Sequence, residues 1–285
     1  MATEMLGTLV AKAMKERIID KVNELKEKGT SPCLTIIRVG ERPDDLSYER
    51  GAKKRMELAG IECVVKELPE DITQEEFEEE FRKVNEDETV HGILLFRPLP
   101  AHLDEEPVRK MIHPMKDVDC MCDVNLAKVF SGDKTAFAPC TAQAVMEMLD
   151  YYGIDVCGKN VTIVGRSMVV GKPLAMLMLQ KNATVTVCHT RTKNLKEACR
   201  NADIVAACAG KAKMITADMI GHGAIVADVG VNVDKDGNLC GDVDYEKAKD
   251  VAAFISPVPR GVGSVTTSVL ASHVTRAAEY FGSFS

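Results

Sequence analysis

The sequence predicts an α/β protein of two domains, each built on a parallel sheet. Short apolar runs alternate with helix-like stretches along almost all of its 285 residues, the pattern of strands joined by crossover helices. Most of the runs are continuously apolar, as in strands buried on both faces. The stretch YYGIDVCGK (151–159) closes a helical pattern just before a new strand, which puts a boundary near 145–158. The expected domains are 1–145 and 146–265, with a last helix over 266–285 returning to the first.

In chain order, the opening MATEMLGTLVAKAMKERI lacks the layout of a signal peptide. It reads as an amphipathic helix with Leu9, Val10, Ala13 and Met14 on one side. Strands are expected over 33–39, 61–67, 90–96, 160–164, 184–188, 204–207 and 224–229. Helices are expected over 46–59, 74–84, 141–152, 172–180, 195–201 and 266–280. The acidic stretch 75–80 is a solvated helix face. There is no internal repeat and no low-complexity segment.

Composition narrows the function. Hydrophobic residues make up 46% and charged residues 28%, with a formal net charge of -7, which argues against a nucleic-acid or anionic-membrane partner. No apolar run approaches the roughly 20 residues that span a bilayer, and a cytoplasmic location is expected. The ten cysteines sit mostly in apolar runs, as Cys33, Cys63, Cys188 and Cys208 do, where a free thiol acts as a small hydrophobe. Cys120 and Cys122 form C-x-C without a second metal-spaced pair, and the six histidines show no metal spacing, so reduced thiols and no metal are expected.

The strongest local signal is KNVTIVGRSMVVGKPLAMLML (159–179). A β-rich run ends at Gly165 and a helix-like run follows Gly171. Glycines there let backbone approach a pyrophosphate, and the helix start supplies free N–H groups. The spacing, with Arg166 and Ser167 inside the loop, is not the common G-x-G-x-x-G. The next strand ends in His189, Thr190, Arg191 and Thr192, with no acid to hold the ribose hydroxyls. Hydroxyls and a guanidinium suit a 2′-phosphate, so NADP is expected, with NAD as the alternative.

Six motifs then carry a resemblance. They are K-D-V-D (116–119), P-C-T (139–141), G-R-S-M-V-V-G-K-P (165–173), C-H-T-R-T (188–192), D-V-G-V-N (228–232) and P-V-P-R-G-V-G (257–263). In this order and spacing the chain resembles the methylenetetrahydrofolate dehydrogenase/cyclohydrolase family over nearly its whole length. The resemblance implies a folate-binding domain, a Rossmann-like dinucleotide domain, a cleft between them and a homodimer. It implies oxidation of 5,10-methylenetetrahydrofolate to the methenyl form, which most members then hydrolyse to 10-formyltetrahydrofolate. By position, Tyr48 is the tyrosine that packs on the folate and Asp119 the aspartate that holds the pterin edge, and these two form the catalytic set. The substrate surface adds Ala52, Leu95, Phe96, Arg97, Pro259, Arg260, Gly261, Val262, Gly263 and Thr266. The dinucleotide falls to Gly165, Arg166, Ser167, Gly171, His189, Thr190, Arg191 and Val231.

The sequence departs from the family at one place that matters chemically. The family's catalytic lysine lies four residues after the tyrosine, but the run here is Tyr48-Glu-Arg-Gly-Ala52-Lys53-Lys54. On a helix Lys53 and Lys54 are turned from that face by about 100° and 200°. The family stretch V-Q-L-P-L-P reads Leu95-Phe96-Arg97-Pro98-Leu99-Pro100, so the glutamine that partners the lysine is also gone. Arg260 replaces a glycine, Ser264 and Val265 replace a proline and a methionine, and Ala142 and Ala144 break the usual P-C-T-P-x-G. Hydride transfer needs positioning, whereas hydrolysis needs proton transfer. The expectation is therefore a dehydrogenase with weak or absent cyclohydrolase. The alternatives are a bifunctional enzyme using Lys53 or Lys54, and a dinucleotide-binding regulatory module without turnover. A different dehydrogenase, acting on shikimate or an amino acid, is disfavoured by Tyr48, Asp119 and P-V-P-R-G-V-G.

Overall fold

A computed structural model describes residues 2–283. Met1, and residues 284 and 285 of the expected last helix, lie outside the described residues. The strands are β1 (Thr3–Glu4), β2 (Cys33–Val39), β3 (Glu62–Leu68), β4 (Gly92–Leu95), β5 (Asn160–Val164), β6 (Thr184–Cys188), β7 (Ile204–Ala207), β8 (Ile225–Asp228), β9 (Asn232–Val233), β10 (Leu239–Cys240) and β11 (Phe254–Ile255). The helices are α1 (Gly7–Glu27), α2 (Pro43–Ala59), α3 (Gln74–Glu86), α4 (Glu106–Met111), α5 (Asp123–Ser131), α6 (Cys140–Tyr151), α7 (Gly171–Gln180), α8 (Leu195–Arg200), α9 (Tyr245–Ala248) and α10 (Thr266–Gly282). No helix among the described residues is long and apolar enough to cross a membrane.

The chain forms two compact units. One takes in residues through Lys12, Val129–Asp133 and Thr141–Thr266; the other takes in Ala13–Lys128, Lys134–Cys140 and the chain from Thr267. The first carries a six-stranded sheet in the order β1-β11-β8-β7-β5-β6, parallel at every pairing. Its strand order reverses between β5 and β7, the switch point where open α/β sheets hold ligands. The second carries a three-stranded parallel sheet, β3-β2-β4, which switches between β2 and β4.

Helices α4, α5 and α9 and strands β9 to β11 were not expected, and three further differences bear on packing. Residues 3–4 form a strand rather than helix, paired with 254–255, so the N-terminus belongs with the six-stranded sheet. In α1, Leu9 is 45% exposed; the buried stripe is Val10, Met14, Ile18, Val22 and Leu25, set by helical periodicity. The sheet-edge strands β3 and β6 are not buried on both faces, and leave Val64 and Val187 exposed. Helix α3 starts in a capping box between Thr73 and Glu76 and buries Phe77 and Phe81, with Glu75, Glu76 and Glu79 on the outside.

Candidate active site

Of the residues expected to hold the substrate, Tyr48 and Ala52 on α2, Leu95 to Arg97 at and just after the end of β4, and Asp119 before α5 all lie in the three-stranded unit. Helix α2 begins with Pro43, carries Asp44 and Asp45 in its first turn, and ends at Gly60 in the left-handed conformation, a favourable start and stop. A buried ion pair, Arg38 Nε to Glu49 at 2.9 Å, ties it to β2. Tyr48, the neighbour of Glu49, is 38% exposed. Its ring meets Phe96 edge-on, with centroids 5.7 Å apart and planes at 83°. Phe96 follows Leu95 of β4, and its N–H donates to Ile37 O of β2. One turn along from Tyr48, Ala52 is completely buried. The position where the resemblance puts an ammonium thus holds a methyl group within the packing. Lys53 and Lys54 are exposed, and Lys54 pairs with Glu57 at 3.1 Å.

Asp119 is held by neighbours that sequence reasoning did not single out. In K-D-V-D the turn is built by Asp117, whose carboxylate accepts from the N–H groups of Met121 and Cys122 and from Asn125 Nδ2. Asp119 is left to accept from the Cys140 N–H at 3.0 Å. Burial pushes its carboxyl above the usual carboxylate range, opposed by the Cys140 hydrogen bonds and by the nearby Arg97 guanidinium. The adjoining Val118 carbonyl is fixed by His273 Nδ1 at 2.9 Å and by the Cys140 thiol at 3.5 Å. Cys120, just after Asp119, is a non-glycine residue at φ 59°, a strained conformation of the kind that surrounding structure must hold in place. Cys140 is the middle residue of P-C-T, which was the available signal. Arg55, seven residues after Tyr48, is half-buried, and its guanidinium reaches Thr267 Oγ1 at 3.5 Å.

The other unit carries the loop after β5. Gly165 has φ 136°, and a Cβ there would lie 2.2 Å from Cys208 O, so only glycine fits. A Cβ on Gly171 would lie 2.2 Å from Gly165 O, which packs the start of α7 against the loop. Ser167 Oγ accepts from Val170 N–H at 3.1 Å. At the end of β6, His189 N–H donates to Thr192 Oγ1 and Arg191 N–H to His189 Nδ1, a tight turn that leaves Thr190 and Arg191 exposed. Arg166 and Arg191 are both exposed. This cradle fits a phosphorylated dinucleotide: glycine-lined backbone, a helix start, and two guanidinium groups free of ion pairs among the described residues. Val231, 64% exposed, follows β8.

The segment from Pro259 to Thr266 lies in this same unit, not with Tyr48 and Asp119. Pro259 and Arg260 are exposed and Val262 is buried. Arg260, at φ 77°, accepts from Gly7 N–H through its carbonyl. A Cβ on Gly261 would meet Pro257 O at 2.2 Å, while Gly263 faces open space. Thr266 Oγ1 donates to Gly263 O and closes the turn into α10.

Residues 5–119 match the catalytic domain, and residues 139–281 the NAD(P)-binding domain, of the tetrahydrofolate dehydrogenase/cyclohydrolase family. The second match includes α10, which packs with the three-stranded unit. The chain is 54% identical over 271 residues to the bifunctional protein FolD of Clostridioides difficile, covering 95% of this chain and 94% of that one. Among solved structures it resembles the bifunctional FolD dehydrogenase/cyclohydrolase of Campylobacter jejuni, with TM-score 0.96, 37% identity, and 98% and 99% of the two chains covered. It also resembles the Trypanosoma brucei methylenetetrahydrofolate dehydrogenase-cyclohydrolase complexed with NADP and an inhibitor, with TM-score 0.92, 36% identity and 98% of each chain covered. The chain belongs to the tetrahydrofolate dehydrogenase/cyclohydrolase family.

Proposed function

We propose that this protein is an NADP-dependent methylenetetrahydrofolate dehydrogenase with weak or absent cyclohydrolase activity. The unit carrying Tyr48 and Asp119 binds the folate, and the six-stranded unit binds the dinucleotide. Tyr48 offers an aromatic face to the pterin, and Asp119 accepts from the amino-pyrimidine N–H groups. NADP, when bound, supplies the nicotinamide carbon that accepts a hydride. Arg166 and Arg191 answer the 2′-phosphate, and no carboxylate follows β6 to repel it. The N5 lone pair of the folate drives hydride departure, so the oxidation asks the chain for alignment and not for a strong base. A homodimer in the cytoplasm completes the reading; sedimentation of the purified protein tests the dimer.

The observation that carries the loss of hydrolysis is Ala52, sealed in packing, together with a Phe96 ring that occupies the glutamine position and meets Tyr48. Neither side chain can move a proton to or from water attacking the methenyl carbon. The relatives' designation as bifunctional favours a second reading, in which hydrolysis persists through Lys53 or Lys54. The exposure of both and the Lys54–Glu57 pair speak against it. The test supplies 5,10-methenyltetrahydrofolate and follows its decay with and without enzyme, alongside dehydrogenase turnover with NADP and NAD. Decay at the uncatalysed rate with brisk NADP reduction is expected. Enzyme-dependent decay comparable to dehydrogenase turnover establishes the bifunctional reading instead.

A further inference from the structure

Two buried carboxylates in the dinucleotide unit have no place in the expected site. Asp242 is completely buried. It accepts from the N–H groups of three consecutive residues, Ala209 at 2.5 Å, Gly210 at 3.0 Å and Lys211 at 2.7 Å. Its fourth donor is Asn232 Nδ2 at 2.9 Å. A carboxylate has about four lone-pair directions, and all are used. Asp228, 3% exposed, in turn accepts from the N–H groups of Gly230, Asp242 and Val243. The glycines between them are cut to fit: a Cβ on Gly230 would lie 2.3 Å from the Asp242 carboxyl, and one on Gly241 1.8 Å from the Asp228 carboxyl.

The bonded segments are those a dinucleotide must run past. Residues 208–211 follow β7, on the far side of the switch point from the phosphate loop, and Cys208 touches that loop: its N–H donates to Val164 O and its carbonyl bars any Cβ on Gly165. Residues 229–232, with Val231, follow β8, the next strand over. Ligands of open α/β sheets lie outside the carboxyl ends of such strands. Converging backbone N–H groups like those of 209–211 form an anion-binding concavity, but here the protein's own carboxylate fills it. Because a carboxylate only accepts, Asn232 must turn its amide nitrogen toward Asp242, which fixes its orientation.

We propose that Asp242 is a positioning residue for the dehydrogenase reaction, clamping the loops after β7 and β8 so that the nicotinamide end of the dinucleotide is held for hydride transfer. This rests on the dehydrogenase reading above. Asp242→Asn puts an amide N–H₂ against N–H donors on one side of the clamp. The expected result is a rise of about tenfold or more in KM for NADP, an increased deuterium isotope effect on kcat as hydride transfer becomes limiting, and an unchanged KM for the folate. Asn232→Ala, which removes one donor and leaves the carboxylate in place, serves if Asp242→Asn does not fold, and a several-fold rise in KM for NADP is expected. Calorimetric titration with NADP alone separates the two readings. If wild-type protein binds NADP and the variants bind it equally well with an unchanged isotope effect, the clamp proposal is overturned and the dehydrogenase reading stands. If wild-type protein neither binds NADP nor reduces it, both fall.

Discussion

The two units answer their chemistry in different ways. In the dinucleotide unit the phosphate loop is determined by backbone: Gly165 sits where any Cβ would strike Cys208 O, and Asp228 and Asp242 hold the adjoining loops through main-chain N–H groups. In the three-stranded unit the site is a set of side chains on α2, after β4 and before α6. That surface has been rewritten, with Ala52, Phe96 and Arg97 where the family resemblance puts a lysine, a glutamine and a leucine. A backbone-built site changes only if the chain path changes. A side-chain site can lose one activity through two substitutions while the frame remains.

The sharpest way to break this comparison is to put back the two side chains that the family resemblance expects. Ala52→Lys together with Phe96→Gln is expected to raise methenyl hydrolysis by about 10²–10⁴-fold, the usual contribution of a general acid–base group, with the dehydrogenase retained. The two changes belong together, because Ala52 is fully buried and a lone lysine there would lack the polar partner that the resemblance puts at position 96. No gain in a folded, dehydrogenase-active double variant would show that the side chains at 52 and 96 do not limit hydrolysis.

Removing a group from one unit should leave the ligand of the other untouched. Asp119→Ala is expected to weaken folate binding by about 10- to 100-fold, since a half-buried acceptor that pairs with polar donors is lost, with dinucleotide binding preserved; calorimetry with each ligand reads both. Gly165→Ala is expected to do the reverse, weakening NADP by about tenfold because the new methyl has no room and φ 136° is hostile to alanine. A smaller effect is expected of Arg166→Ala, a several-fold loss for NADP that exceeds the loss for NAD. Equal losses would remove Arg166 from the 2′-phosphate site.

The units should also respond to acid with opposite signs. In the three-stranded unit, burial and then the neighbouring Arg276 push His273 down to about 3 from 6.5. Its contribution to stability is present above the unfolded value and lost as pH falls from about 6.5 toward 3. In the six-stranded unit, burial pushes Asp228 up to about 7 from 3.8, with its backbone hydrogen bonds opposing and Asp242 adding to the rise. The folded state there holds a proton the unfolded state gives up, so stability falls as pH rises from about 4 to 7. Hydrogen exchange followed by mass spectrometry at pH 5 and pH 7.5 tests this. Peptides of α10 are expected to open more readily at pH 5, and those of β8 less readily. A uniform change across both units would show that net charge governs instead.

By itself, the sequence determined the strand–helix alternation, the phosphate loop, the absence of an acid after β6, and the replacement of a lysine by Ala52. The first three are written in local pattern and spacing, which propensity and periodicity read directly, and the last follows from the family resemblance. The tertiary structure alone decided which partners those residues meet. That β1 pairs with β11, some 250 residues away, depends on a sheet edge that no local window contains. That Leu9 is exposed and Val10 buried depends on where α1 lies, since an apolar stripe of several residues is compatible with more than one rotation. That Phe96 closes on Tyr48, that Cys140 holds Asp119, and that Asp242 clamps residues about 30 positions earlier are long-range pairings. A carboxylate buried beside backbone N–H groups and one exposed on a turn look alike in sequence, and only the fold supplies the donors that distinguish them.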